Sequence, residues 1–164
     1  MFSKSLIALV GLVGIISCQN TTSCPQENRY VVRSDAANFF QAWERCRELG
    51  LRLATVNSAQ DSDSLAEAIA ASKTKAPWWI AATDLGNSAF NYTWISTSQA
   101  LVGYTNFAPL QPDHNKGIEN CIEVGRFGAV TWNDWQCNGQ IGYICERHSD
   151  DECSCSCSCK FQRT

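Results

Sequence analysis

Five oxygen-bearing side chains, set in two short clusters, are the groups in this sequence best suited to chemistry. Gln111 and Asp113 flank Pro112, with Glu119 a little further on, and Asn133 and Asp134 form the second cluster. A hard cation such as calcium takes roughly six to eight oxygen ligands, usually carboxylates and amide carbonyls. The set offers three carboxylates and two amides. Cys121 and Cys137 follow the two clusters closely, and a bridge between them would draw the clusters together. A polar loop that holds no metal is the competing reading, because Asn and Asp are common in any surface loop. The spacing therefore carries more weight than the residue types.

Little else in the chain points to catalysis. His114 and His148 are the only histidines, and neither lies in a recognisable nucleophile motif. The acidic pairs are accounted for by a cation, so a binding protein is expected and not an enzyme. A net charge of −3 leaves no basic footprint for nucleic acid or anionic lipid.

The elements that must position these groups can be read from periodicity and caps. Residues 35–50 read as an amphipathic helix, with Asp35 accepting from the first-turn amides and Gly50 taking the left-handed stop. Phe39, Trp43, Cys46 and Gly50 fall on one stripe of it. A second helix is expected from about Ser58 to Ala71, with Leu65, Ala66, Ile69 and Ala70 inward. Strands follow at residues 78–82, 91–95, 121–124, 129–132 and 141–145, and a long loop with two prolines fills residues 103–117. Helices first and a mostly antiparallel sheet afterwards make an α+β fold. Trp43, Trp78, Trp79, Trp94 and Trp132 sit on core-like faces.

The two ends speak to compartment. Lys4, the apolar run from Leu6 to Ile16 and the small residues around Cys18 read as a secretory leader over residues 1–18. That run has 11 residues, short of the roughly 20 that span a bilayer, and no later segment reads as a membrane span. Ten cysteines in 164 residues then imply a disulfide framework in an oxidising compartment, and a secreted, extracellular protein. Asn20 and Asn91 head glycosylation sequons. Residues 148–164 form a tail in which Cys153, Cys155, Cys157 and Cys159 alternate with serine. Cys24 is left over and could reach that tail. If leader cleavage leaves an odd number of cysteines, an unpaired thiol or a bridge between chains follows. A disulfide-linked homo-oligomer would gain avidity for weak single sites.

Taken in order, Trp78-Trp79-Ile80, Gln111-Pro112-Asp113, Glu119-Asn120-Cys121, Trp132-Asn133-Asp134 and Tyr143-Ile144-Cys145-Glu146 resemble a C-type lectin domain. The resemblance runs from about Cys24 to Glu146, placing the domain at residues 24–147, and is to secreted galactose-type members such as insect C-type lectins. It implies two helices packed on antiparallel sheets with a long calcium-binding loop, and bridges Cys46–Cys145 and Cys121–Cys137. It implies one calcium ion held by Gln111, Asp113, Glu119, Asn133 and Asp134, with Pro112 cis. Those five side chains would also hydrogen-bond two neighbouring sugar hydroxyls, carboxylates accepting and amide nitrogens donating. The Gln-Pro-Asp triplet is the form that goes with galactose-type glycans or glycoproteins. Strong galactose binders carry an aromatic platform two positions after that Asp, where this chain has Asn115 after His114; Trp135 is the candidate replacement. The family's auxiliary calcium site would use Asp84, but Ser88, His114 and Asn120 stand where further acids belong, so a single site is expected. A role in recognising microbial or self glycans is an analogy from the family. The other reading is a protein-binding or structural member of the same fold, whose cysteine tail drives assembly.

Overall fold

The structure, a computed structural model, describes residues 28–75 and 77–148. The expected leader over 1–18, Asn20, Cys24 and the cysteines at 153–159 lie outside the described residues. In chain order the elements are β1 (Tyr30–Ala37), α1 (Phe39–Glu48), β2 (Arg52–Leu53), α2 (Ala59–Ser72), β3 (Trp78–Thr83), β4 (Thr93–Trp94) and β5 (Gln99–Ala100). A short 3-10 turn (Asn115–Gly117) precedes β6 (Cys121–Val124), β7 (Trp132–Trp135) and β8 (Ile141–Glu146). Two helices beside a multi-stranded sheet make the α+β fold that the sequence implies.

Helix α1 begins later than expected, because Asn38 and not Asp35 caps it. The Asn38 side chain accepts from the Gln41 amide at 2.9 Å, and the Gln41 side chain accepts from the Asn38 amide at 3.0 Å. This reciprocal box satisfies two orphan donors at once. Asp35 instead lies in β1, accepting from the Tyr143 hydroxyl at 2.9 Å and from Arg45 at 3.0 Å. At the other end Gly50 does take the left-handed stop, at φ +71°. Its amide donates to Arg47 O at 3.0 Å, and Leu51 donates to Cys46 O at 2.9 Å, closing the helix in a Schellman turn. The buried face of α1 carries Phe39, Ala42 and Cys46. Ser58 caps α2 through the Asp61 amide, and its buried face is Ser62, Leu65, Ala68 and Ile69. Ala70 is exposed and Ala66 half-buried, contrary to the expected stripe.

Strand β8 is the spine of the sheet. It pairs antiparallel with β1 (Tyr30↔Glu146) and with β2 (Arg52↔Glu146), and parallel with β3 (Trp78↔Gly142). Every other pairing between these strands is antiparallel, in line with the mostly antiparallel sheet expected. β3 in turn carries β4 and β6, and β6 carries β7. The strand expected at 129–132 lies instead at Trp132–Trp135, so Asn133 and Asp134 belong to the strand and not to the turn after it. Strand β1 escaped the sequence reading because Arg33 to Ala36 are exposed, which erases the alternation of a half-buried strand.

Two bridges tie this frame. Cys46–Cys145 joins α1 to β8 across 99 positions, which in the chain-entropy model contributes on the order of 4–5 kcal/mol. Cys121–Cys137 closes a span of 16, worth about 3 kcal/mol on the same basis. At the end of β8, the wholly buried Glu146 accepts from Arg29 at 2.8 Å, Arg52 at 3.0 Å, and the Thr55 amide and hydroxyl at 3.0 and 2.8 Å. Burial alone would raise its pKa, but the bonds from Arg52, Thr55 and Arg29 outweigh it and hold the carboxyl below the ordinary glutamate value.

Two outcomes follow for stability. Glu146 binds fewer protons folded than unfolded, so it stabilises above the unfolded glutamate value and loses that contribution as pH falls through the lower folded value. Glu146→Gln should cost on the order of 3 kcal/mol at neutral pH and flatten the acid limb of a melting-temperature profile; an unchanged acid limb would contradict the assignment. At Gly142 an added Cβ would lie 2.5 Å from Trp78 Cδ1 and 2.6 Å from the Arg33 carbonyl oxygen. Gly142→Ala should therefore lower the urea midpoint by the equivalent of about 2 kcal/mol or more.

Candidate metal centre in the long loop

The long loop is fastened to the start of β7 by both backbone and rings. Trp132 donates its amide to Asn106 O at 2.8 Å and accepts from the Ala108 amide at 2.9 Å. Its ring is fully buried, with the rings of Trp94, Tyr104 and Phe107 set edge-on at 5.9, 6.0 and 5.4 Å. The anchor stands immediately before Asn133 and Asp134. Whatever the loop carries is thereby presented to those two side chains.

Beyond the anchor the loop turns back on β7. The Gln111–Pro112 bond is cis. The Asp113 amide then donates to Asp134 Oδ1 at 3.1 Å, and the His114 amide to Asp134 Oδ2 at 2.7 Å. His114 adopts φ +48°, and its Nδ1 lies 2.9 Å from Glu119 O. A carbonyl can only accept, so Nδ1 carries the hydrogen. The Asn120 amide closes the circuit on Trp135 O at 3.2 Å.

The result is a crowd of acids. Carboxylate oxygens of Asp113, Glu119 and Asp134 lie within 4.8 Å of one another, with Glu119 and Asp134 buried. None of the three takes part in an ion pair among the described residues. Burial, the charges of Asp134 and Asp113 and a hydrogen bond with Asp113 together push the Glu119 carboxyl above its ordinary value. Gln111 Oε1 is buried without a hydrogen-bond partner. An unsatisfied buried acceptor is costly, and so are crowded like charges; a divalent cation relieves the crowding of the acids. The donor set, all oxygen and rich in carboxylate, suits calcium.

Asn133 sits opposite Glu123 across the β6–β7 pair and donates its Nδ2 to Glu123 Oε1 at 2.8 Å. Glu123, wholly buried, is the residue of this neighbourhood that sequence reading missed. Its signal was an acid in the otherwise apolar strand Cys121-Ile122-Glu123-Val124. Trp135, the expected stacking platform, is already engaged. Its ring stacks on Trp79 at 5.8 Å, the Arg126 guanidinium lies 4.3 Å from its centroid, and an added Cβ on Gly139 would sit 2.4 Å from its edge.

Of the positions where the family's auxiliary site would lie, Asp84 and Asn120 are bonded to each other. Asp84 is buried, accepting from Asn120 Nδ2 and from the Phe90 amide, each at 2.9 Å. Each oxygen thus accepts from one neutral donor. Asn91 is exposed, and so is His148.

Comparison with known proteins places this geometry. The lectin C-type domain model matches residues 35–147. Perlucin of Haliotis laevigata is 34% identical over 131 residues, covering 79% of this chain and 79% of its own. Salivary C-type lectin 2 of Aedes albopictus is 30% identical over 150 residues, covering 87% and 97%. Among solved structures, the cow C-type carbohydrate-recognition domain of CD23, studied in the presence of a GlcNAc2Man3 oligosaccharide, matches with a TM-score of 0.63 and 26% identity. That match covers 77% of this chain and 97% of the domain. With the loop, the acids and both bridges in place, and with insect C-type lectins among its relatives, the chain belongs to the lectin C-type domain family.

Proposed function

We propose that this protein is a secreted lectin that binds galactose-type glycans through one calcium ion held by Gln111, Asp113, Glu119, Asn133 and Asp134. The observation that carries the reading is the convergence of three carboxylates within 4.8 Å of one another, with the Gln111 oxygen, two positions before Asp113 in the chain, buried and unpartnered. Family membership and relatives named as lectins support it. When bound, calcium supplies Lewis-acidic positions that two neighbouring sugar hydroxyls can fill. The chain's own groups do the sorting: Asp113, Glu119 and Asp134 accept from hydroxyls, while the amide nitrogens of Gln111 and Asn133 donate. The order amide–Pro–acid in the triplet sets the donor–acceptor pattern that favours the galactose-type hydroxyl pair.

In this reading Trp135 supports the site from within the protein. Its contacts with Trp79, Arg126 and Gly139 occupy a ring that would otherwise stack on sugar, and selectivity rests on hydroxyl geometry. One ion is expected, because Ser88, His114 and Asn120 stand where a second site would need further acids beside Asp84. Secretion follows from the leader over 1–18 and is supported by two bridges within the domain; no helix among the described residues is long and apolar enough to cross a membrane. Glycosylation is assigned to Asn20 and Asn91. Any disulfide-linked oligomer is assigned to Cys24 and the tail cysteines, where several weak sites would gain by avidity.

Retention on galactose and mannose resins, with calcium and then a chelator, tests the reading. Galactose-selective retention released by chelator is expected; folded, calcium-loaded protein that passes through both resins would shift the assignment to a non-sugar partner. Glu119 gives a second test. Its raised carboxyl binds more protons folded than unfolded, so its contribution is full below the ordinary glutamate value and is lost as pH rises through the folded one. Metal-free Glu119→Gln should accordingly melt no lower than wild type at neutral pH. Wild type should gain about 2.7 kcal/mol at calcium a hundredfold above Kd, and the variant should gain almost nothing. A calcium response retained in the variant would remove Glu119 from the ligand set.

A further inference from the structure

We infer that Glu123 is a positioning residue: it fixes which end of the Asn133 amide is presented to the cation. The inference rests on the calcium reading above. An asparagine side chain has two chemically opposite ends of nearly equal size, and only the oxygen can ligate a cation. Glu123 and Asn133 face each other in register on β6 and β7, and both are buried, at 0% and 5% exposure. Arg126 grips the Glu123 carboxylate as a fork, with Nε on Oε1 and Nη2 on Oε2 at 2.9 Å. Paired with that guanidinium, the carboxylate has no hydrogen to give and can only accept. The Asn133 group turned toward it is therefore the nitrogen, at 2.8 Å. The reverse orientation would set two acceptors face to face in a dry site, which costs more than a lost hydrogen bond.

A glutamine at position 123 would satisfy Asn133 in either orientation, donating to Oδ1 or accepting from Nδ2. Only an acid makes the choice one-sided. The acid is costly to bury, and Arg126 is what makes it tolerable. Arg126 is itself held over the Trp135 ring, which stacks on Trp79 in β3. The orientation of one ligand amide is thus anchored through Glu123, Arg126 and the two tryptophans to the core sheet.

The test compares four full-length proteins: wild type, Glu123→Gln, Asn133→Asp and the double variant. Calcium alone is titrated calorimetrically, and melting in chelator checks the fold. Glu123→Gln should weaken calcium about tenfold or more, in line with other residues that orient metal ligands. In the Asn133→Asp background the same change should strengthen binding. There the glutamine introduced at position 123 can donate to one oxygen of the aspartate introduced at position 133, leaving the other for the ion. The double variant should come within about threefold of wild type, given that its donor–acceptor pairing is intact with the direction reversed. A reversal of sign between backgrounds is something neither a general loss of packing nor the loss of one negative charge would produce. Equal calcium affinity in wild type and folded Glu123→Gln would overturn the inference, as would Glu123→Gln weakening binding in both backgrounds. If the single variants do not fold, the double variant decides alone; its failure to fold or to bind calcium counts against positioning. Wild type that ignores calcium would instead refute the function proposed above.

Discussion

A wholly buried carboxylate, Asp134, takes one backbone amide on each oxygen, from Asp113 and His114 in a loop 21 and 20 positions earlier in the chain. Most of the site follows from this. An ionised carboxylate costs several kcal/mol to bury, and charge-assisted bonds, roughly twice as strong as neutral ones, offset part of that cost. The amides can reach it only if the loop folds back across the start of β7, and that fold-back carries Asp113 and Glu119 to within 4.8 Å of Asp134. Loop geometry and acid crowding are therefore one constraint. The same interaction that orders the loop creates the negative potential that a cation satisfies, so binding strength comes at the expense of metal-free stability.

The frame absorbs that expense elsewhere. β8 is paired with three strands, bridged to α1 by Cys46–Cys145, and closed at Glu146 by Arg29, Arg52 and Thr55. At this end of the domain the buried charge is fully paired. The loop end has an unpartnered Gln111 oxygen and a Glu119 carboxyl raised by burial and its neighbours. Trp79, Trp94 and Trp132 are buried in the core of the same domain. Ligands aimed by a stiff sheet lose less ordering entropy on binding than ligands on a free loop.

Where elements were misjudged in the sequence, a long-range partner had altered a local signal. Asp35 looks like a helix cap, but Tyr143 and Arg45, neither of them adjacent to it in sequence, claim its carboxylate for β1; Asn38 with Gln41 supplies the cap. β1 lacks alternation because it forms one edge of the sheet path and points Arg33 to Ala36 at solvent. β7 lies further toward the C-terminus than expected because its register is set by β6 and by the Trp132 anchor, not by the β-branched run before it. The parallel β3–β8 pairing has no local signature at all, since strand direction is decided by how the chain crosses over between strands.

By itself the sequence determined the α+β class, the two helices, the buried Trp78, Trp79, Trp94 and Trp132 and the loop acids, because periodicity and ligand chemistry are properties of short stretches. It also carried the motif order by which the family resemblance is recognised. Only the tertiary structure decided that Asp134 is the residue the loop folds onto, that Trp135 is held by Trp79 and Arg126, and that Asp84 is spent on Asn120 and Phe90. Glu123 became meaningful only once β6 and β7 were in register and Arg126 had closed on it. The physical reason is common to all of these. A side chain's type says what it can bond, but in a buried site its role depends on which partners reach it first, and those partners come from distant parts of the chain.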